Sequence, residues 1–152
     1  EYLGEDAIDR FATRVRAARA AVLAFIELER AKGKKFHALG ASTKGNTLLQ
    51  YFGLGPDQIE CAAEVNADKF GLRTAGSNIP IVSQDESLAS KPDYYLVLPW
   101  HFLDFFLGKF SGYLQAGGSL VAPLPFPRQY TADPLEEGGF TLISRELDLG
   151  HA

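Results

Sequence analysis

The chain has 152 residues, the size of one ordinary domain, and its 46% hydrophobic and 22% charged residues are typical of a globular protein. Fifteen basic and 19 acidic residues give a net charge of −4, which argues against a general nucleic-acid-binding protein because those carry a basic stripe. The single cysteine, Cys61, excludes an intrachain disulfide and a cysteine-based zinc site, and it favours a reducing, cytoplasmic compartment. No apolar run of about 18 residues is present, so no membrane partner is expected.

The sequence contains no methionine and begins at Glu1, so we expect it to belong to a longer polypeptide. We predict one domain overall. Residues 1–35 form an amino-terminal helix or connector that packs on it, and residues 36–152 form a Rossmann-like unit.

The first predicted element is a long amphipathic helix that ends near Gly33. Its apolar positions recur every three to four residues, as one face of a helix requires. They are Ile8, Phe11, Val15, Ala18, Val22, Phe25 and Ile26.

Hydrophobic segments that alternate with helical ones follow. The predicted strands cover residues 36–39, 61–65, 79–82, 93–99, 119–122 and a last segment near 140–144. The predicted helices cover residues 48–52, 84–89 and 101–113. In the second of these, Ser83 is the N-cap, and Glu86 completes a capping box. This alternation predicts an α/β fold: a three-layer Rossmann-like domain with a mainly parallel sheet.

The turn after the first strand carries the residues best suited to bind a ligand. Residues 40–47 read Gly-Ala-Ser-Thr-Lys-Gly-Asn-Thr, a G-x-S-x-x-G pattern in which Gly40 permits a tight turn and Gly45 permits close packing. Free amides at a helix start can bind phosphate. The polar or amide donors of this turn are Ser42, Thr43, Lys44, Gly45 and Asn46. The alternative is a glycine turn of the kind that any α/β domain needs.

Two further pairs of residues complete the predicted site. Glu64 and Asn66 end the second strand, where an acidic or amide group often holds a ribose hydroxyl. Trp100 and His101 end the strand at 93–99 and are predicted to form the opposite wall, unless the indole plugs the sheet and the imidazole caps a helix. The pattern does not match the phosphate-binding loop of nucleoside triphosphatases, G-x-x-x-x-G-K-[ST], because Asn46 occupies the position of the lysine that follows the second glycine.

Other chemically suggestive residues have structural interpretations. His37 lies inside the first strand and is interpreted as structural, and Cys61 is interpreted as a small buried residue. The phenylalanines of the 101–113 helix have helical spacing, which favours core packing over base stacking. They are Phe102, Phe105, Phe106 and Phe110.

The segment at 40–54, Gly-Ala-Ser-Thr-Lys-Gly-Asn-Thr-Leu-Leu-Gln-Tyr-Phe-Gly-Leu, resembles the carboxy-terminal domain of S-adenosylmethionine (SAM)-dependent sugar C-methyltransferases. The likeness continues through Asn66-Ala-Asp-Lys-Phe-Gly71, Ile79-Pro-Ile-Val-Ser83 and Tyr95-Leu-Val-Leu-Pro-Trp-His101, and it resumes at Gly117-Gly118. It spans roughly residues 5 to 130.

The resemblance implies that a zinc-binding module and a central SAM-binding domain precede this one in the polypeptide. It implies a nucleotide-linked (dTDP-type) deoxysugar as substrate, held between the central and last domains. The reaction would be deprotonation of a carbon beside a keto group, followed by attack on the SAM methyl group. The zinc, the SAM and the catalytic residues would belong to the preceding domains, so this chain is expected to be inactive alone. Two alternatives remain open: an NAD-type dinucleotide-binding domain, and a scaffold that binds nothing.

Overall fold

The computed structural model describes residues 4–147, apart from the side chain of Glu5. Its helices are α1 (Glu5–Ala31), α2 (Thr43–Phe52), α3 (Gln84–Ala89), α4 (Leu103–Lys109) and α5 (Ser111–Gln115). Its strands are β1 (Phe36–Leu39), β2 (Ala62–Glu64), β3 (Ile81–Ser83), β4 (Tyr94–Val97), β5 (Ser119–Ala122), β6 (Arg128–Pro134) and β7 (Phe140–Glu146).

These strands form one sheet in the order β3-β2-β1-β4-β5-β6-β7. The first five pair in parallel, whereas β6 and β7 are antiparallel to their neighbours. The three-layer, mainly parallel Rossmann-like fold with a long amino-terminal helix is thereby confirmed.

Side-chain alternation along the strands assigns each helix to one face of the sheet. In β1, Phe36 and Ala38 join the core under α1 and α2, whereas Leu39 joins the core under α4 and α5. Both faces are covered, which explains why β1, β4 and β5 are buried along their whole length.

Helix α1 packs on the sheet along only part of its length. Val22 and Ile26 are buried, but Ile8 and Phe11, at the start of the same apolar face, are 58% and 61% exposed. The predicted apolar stripe is therefore present, and its first two members are exposed to solvent.

Three details differ from the prediction. Helix α2 begins at Thr43, five residues before the predicted start at 48. Residues 128–134 form strand β6, which pairs with β7 as a hairpin and which the sequence did not reveal. Its residues are mostly half-buried or exposed, so it lacks the apolar pattern of a buried strand. The predicted helix at 101–113 is instead a 3-10 turn followed by α4 and α5, and Phe102 and Phe105 are exposed rather than in the core.

A buried polar cluster lies where β1, β2 and α3 meet. His37 Nδ1 is 2.7 Å from Ser87 Oγ and 3.3 Å from Cys61 Sγ, and Ser87 Oγ is 2.6 Å from the Tyr95 hydroxyl. Burial raises the pKa of the Cys61 thiol to about 11, so it stays protonated near neutral pH despite its histidine neighbour. His37 and Cys61 thus have the structural character expected of them.

Helix α1 is joined to β4 through a buried carboxylate. The Tyr94 hydroxyl donates to Glu29 Oε2 at 2.8 Å, and Lys32 Nζ lies 2.6 Å from Glu29 Oε1. Burial opposes ionisation of Glu29, but the hydrogen bonds from Lys32 and Tyr94 outweigh it, so the pKa of Glu29 lies below its ordinary value.

Tyr94→Phe is expected to lower the free energy of unfolding by about 1.5 kcal/mol, the lower end for a hydrogen bond to a charged group. Chemical denaturation at pH 7 measures the change. Tyr130→Phe is the matched control, because residues 4–147 provide no hydrogen-bond partner for its hydroxyl. Equal losses in the two variants would contradict a role for the Tyr94–Glu29 contact.

No helix among the described residues is long and apolar enough to cross a membrane.

Candidate functional site

The strand order reverses beside β1, which lies between β2 and β4. Ligands of open parallel sheets bind at such a switch point, at the carboxyl edge of the strands. Two loops meet there. Gly40, with a φ of +86°, starts the β1–α2 turn, and a Cβ at Gly40 would lie 3.2 Å from Pro99 Cδ.

Gly45 brings α2 close to the end of β4. A Cβ at this position would lie 3.0 Å from both Cβ and Cδ1 of Leu98, which is tighter than ordinary van der Waals contact. The positive φ of Gly40 suits its predicted role in a tight turn, and the approach of Gly45 to Leu98 suits its predicted role in close packing.

The first turn of α2 presents donors at the carboxyl edge. Ser42 is its N-cap, and Ser42 Oγ accepts a hydrogen bond from the Gly45 amide at 3.3 Å. Thr43 and Lys44 are exposed, and within residues 4–147 no acceptor contacts their amides. Oδ1 of Asn46 is buried and has no donor among the same residues. Free amides, the positive helix end and a lysine favour an anionic ligand.

Glu64 contacts this turn through Ala41, and Asn66 follows β2 two residues later. Glu64 Oε2 accepts from the Ala41 amide at 3.1 Å, and Glu64 Oε1 accepts from the amides of Val65 and Asn66 at 2.8 and 3.2 Å. Burial opposes ionisation of Glu64, but these three amides and Lys69 outweigh it and hold the pKa of Glu64 below its ordinary value. The Asn66 side chain accepts from the Asp68 amide at 3.1 Å.

Lys69 is a site residue that the sequence interpretation did not single out. Its ammonium group lies 3.3 Å from Glu64 Oε2 and donates to the Ala41 carbonyl at 3.0 Å. Its position five residues after Glu64 was a usable signal, but its contact with Ala41, 28 residues away, exists only in the fold.

Trp100 and His101 follow β4 on the same edge, and they differ in environment. His101 is exposed, and its ring lies 4.3 Å from that of Phe102. Trp100 is half-buried and packs toward α1, where it lines a groove of about 300 Å³. The structure thus places the indole on the α1 side and brings the 40–46 turn together with Glu64.

That groove is part of an apolar surface, which we call the α1 surface. It is formed by Phe11, Val15, Trp100, Leu124, Pro125 and Phe126, and Arg14 also lines the groove. Phe11 and Phe126 are each about three-fifths exposed, at 61% and 59%. A contiguous patch of this kind is typical of an interaction site.

A larger groove, of about 650 Å³, lies between α3 and α5 and is lined by Leu88, Lys91, Phe110 and Tyr113 among others. It contains none of the residues 42–46.

The C-methyltransferase C-terminal domain family matches residues 4–125. The chain belongs to this family. It is also 34% identical to the C-methyltransferase NovU of Streptomyces niveus over 123 residues, which are 81% of this chain and 29% of NovU. The chain therefore spans less than a third of that relative.

The region that matches the family, residues 4–125, contains the β1–α2 turn, Glu64 and Lys69. It also contains every residue of the α1 surface except Phe126. The β6–β7 hairpin lies beyond it. The site and most of this surface therefore belong to the part of the chain shared with other C-methyltransferase C-terminal domains.

The described residues do not fit a zinc site. Within residues 4–147 no group of three or more histidine, cysteine, aspartate or glutamate side chains is placed to hold a metal ion. Cys61 is buried, with its thiol protonated near neutral pH, so it is a poor ligand.

Proposed function

We propose that this C-methyltransferase domain binds the anionic part of a nucleotide-linked deoxysugar, while another domain of the same polypeptide binds SAM and transfers its methyl group. The observation that carries the proposal is the first turn of α2. Exposed Thr43 and Lys44, with amides that have no acceptor within the described chain, lie at the switch point of the sheet. A diphosphate is the part of such a substrate that this arrangement suits best.

The remaining site residues have different proposed parts. Ser42 shapes the turn as N-cap. Asn66 and His101 follow β2 and β4 at the carboxyl edge, and we propose that they contact the sugar or base. Asn46 offers a buried acceptor without a donor in the described structure. Trp100 limits the site on the side of α1.

The residues of this chain do not suit SAM itself. A Rossmann-type methyl-donor site uses the acid at the end of β2 for the ribose hydroxyls, whereas the Glu64 carboxylate already accepts bonds from three amides and Lys69. We therefore assign SAM, and any zinc, to the part of the polypeptide outside this chain, and we assign no catalytic residue to this chain.

The α1 surface is the proposed docking site for the SAM-binding domain. Phe11, Trp100 and Phe126 offer apolar area, and Trp100 follows β4 at the same edge of the sheet as the first turn of α2. We propose that a domain that covers them also closes over this turn. The substrate would then lie between the two domains.

Thermal denaturation of the chain with dTDP, a dTDP-keto-sugar, SAM, S-adenosylhomocysteine or NAD tests the proposal. A ligand at about 100 times its Kd adds roughly 2.7 kcal/mol of stability, a shift of several degrees for a domain of this size. Stabilisation by dTDP or its sugar, and not by SAM or NAD, is expected. Stabilisation by NAD alone would favour a dinucleotide-binding domain, and stabilisation by no ligand would favour a scaffold; either result would contradict the proposal.

Lys44→Ala is expected to weaken dTDP binding about tenfold to a hundredfold, since a charged hydrogen bond to phosphate contributes roughly 1.5–3 kcal/mol. Calorimetric titration measures the change. Lys35→Ala is the matched control, because this exposed lysine precedes β1 at the opposite edge of the sheet. An unchanged affinity of the Lys44 variant would remove Lys44 from the site.

A further inference from the structure

The acceptor capacity of the Glu64 carboxylate is filled by the protein. Oε1 accepts from the amides of Val65 and Asn66 at 2.8 and 3.2 Å, and Oε2 accepts from the Ala41 amide at 3.1 Å and from Lys69 at 3.3 Å. A carboxylate has about four acceptor positions. Since the Glu64 side chain is only 11% exposed, a ligand hydroxyl would have to displace one of these donors.

Lys69 contacts both Glu64 and Ala41. Its ammonium group also donates to the Ala41 carbonyl at 3.0 Å. Glu64 and Lys69 thereby hold both backbone polar groups of Ala41, a buried residue directly before the N-cap Ser42. They also join the loop after β2 to the loop after β1.

We propose that Glu64 and Lys69 are positioning residues, which hold the β1–α2 turn in the conformation that binds phosphate, and that Glu64 does not contact the ribose. This inference rests on the proposed function of the turn. It assigns a different task to the position that binds ribose hydroxyls in dinucleotide-binding folds. As a consequence, the site does not distinguish ribose from 2′-deoxyribose through Glu64.

The contrast with direct binding is geometric. A ribose ligand needs a carboxylate oxygen that faces the ligand with spare acceptor capacity. Here each oxygen has two protein donors, one or more of them from the backbone. Loss of the carboxylate therefore disturbs the turn whether or not a ribose is present.

Three probes separate the two roles: UDP, 2′-deoxy-UDP, and inorganic pyrophosphate, which has no ribose. Calorimetric affinities are compared for Glu64→Gln, Lys69→Met and the double variant of the polypeptide that carries this chain. A positioning role predicts that each single variant binds all three probes about 5–30-fold more weakly. The affinity of the double variant should be close to that of the weaker-binding single variant, since the two residues act on one turn. If Glu64→Gln weakens only UDP binding, or if Lys69→Met changes no affinity, the proposal is overturned.

Hydrogen exchange tests the turn without any ligand. The Ala41 amide is expected to exchange at least tenfold faster in Glu64→Gln, with the amides of Leu96 and Val97 unchanged as a control for global folding. Unchanged exchange at Ala41 would overturn the positioning role. If exchange accelerates but the unaltered protein binds none of the probes, the proposed function fails while the control of the turn by Glu64 stands.

Discussion

Glu64→Leu is expected to lower the free energy of unfolding by about 3 kcal/mol at pH 7. The variant leaves the amides of Ala41, Val65 and Asn66 and the ammonium group of Lys69 without their acceptor. Removing one partner of a buried ion pair costs about 3–5 kcal/mol, and the lower end applies because the Lys69 side chain is 35% exposed. Urea denaturation of both proteins measures the difference.

Glu146→Leu is the matched control for this prediction. Glu146 also pairs with a basic residue, Arg128 at 3.1 Å, but its side chain is 75% exposed. An exposed pair of this kind contributes about 0–1 kcal/mol. Comparable losses in the two glutamate variants would show that the Glu64 contacts contribute no more than a surface ion pair.

The contribution of Glu64 to the free energy of unfolding should decrease as the pH falls. The pKa of Glu64 is lowered in the folded protein below its ordinary value of 4.5. A carboxylate with a lowered folded-state pKa stabilises the protein fully above the unfolded-state pKa, and the contribution is lost as the pH falls through the folded-state pKa. The difference between the original protein and Glu64→Leu should therefore shrink below about pH 4.5. A constant difference down to pH 2 would contradict ionisation as its source.

Gly45→Val is expected to lower the free energy of unfolding by about 2 kcal/mol and to weaken dTDP binding more than a hundredfold. Even a Cβ at Gly45 would lie 3.0 Å from two atoms of Leu98, and Leu98 is itself fully buried. Overpacking of this kind costs about 1–3 kcal/mol. Because α2 must move away from β4 to make room, the amides of its first turn lose their place at the switch point. Denaturation and calorimetric titration measure the two effects.

Gly112→Val provides the control for Gly45→Val. Gly112 also lies in a helix, α5, but a Cβ there would have no heavy atom within 4 Å. We expect the free energy of unfolding of the Gly112→Val variant to change by less than about 0.5 kcal/mol, and its affinity for dTDP to remain the same. If Gly45→Val behaves in the same way, close packing of α2 on β4 is not required for the site.

The buried strands were predictable from the sequence because both of their sides face apolar neighbours. In β1, β4 and β5 every residue is buried, so each appears as a short, nearly continuous hydrophobic run. The β6–β7 hairpin was only half predicted. It lies at the edge of the sheet, where β7 is largely exposed and its cross-strand hydrogen bonds, rather than burial, define the strand.

The candidate site was also only partly predictable from the sequence. Glycines at a fixed spacing, an N-cap serine and a lysine are local features, so the sequence alone located the turn at 40–46. The contacts of Glu64 are not local: its bond to Ala41 joins residues 23 positions apart. The sequence placed this acid beside the turn, but it did not reveal that Lys69 and backbone amides occupy it.

The sequence by itself determined the parallel α/β fold, the position of the candidate turn at 40–46 and the resemblance to the C-methyltransferase family, because these depend on hydrophobic periodicity and on residues close together in the chain. Only the tertiary structure decided which side chains remain free for a ligand. In the folded chain, Glu64 accepts hydrogen bonds from four donors and Trp100 packs toward α1, whereas Phe11 and Phe126 are exposed. The physical reason is that burial and hydrogen-bond partners arise from segments distant in sequence, which meet only when the sheet is assembled.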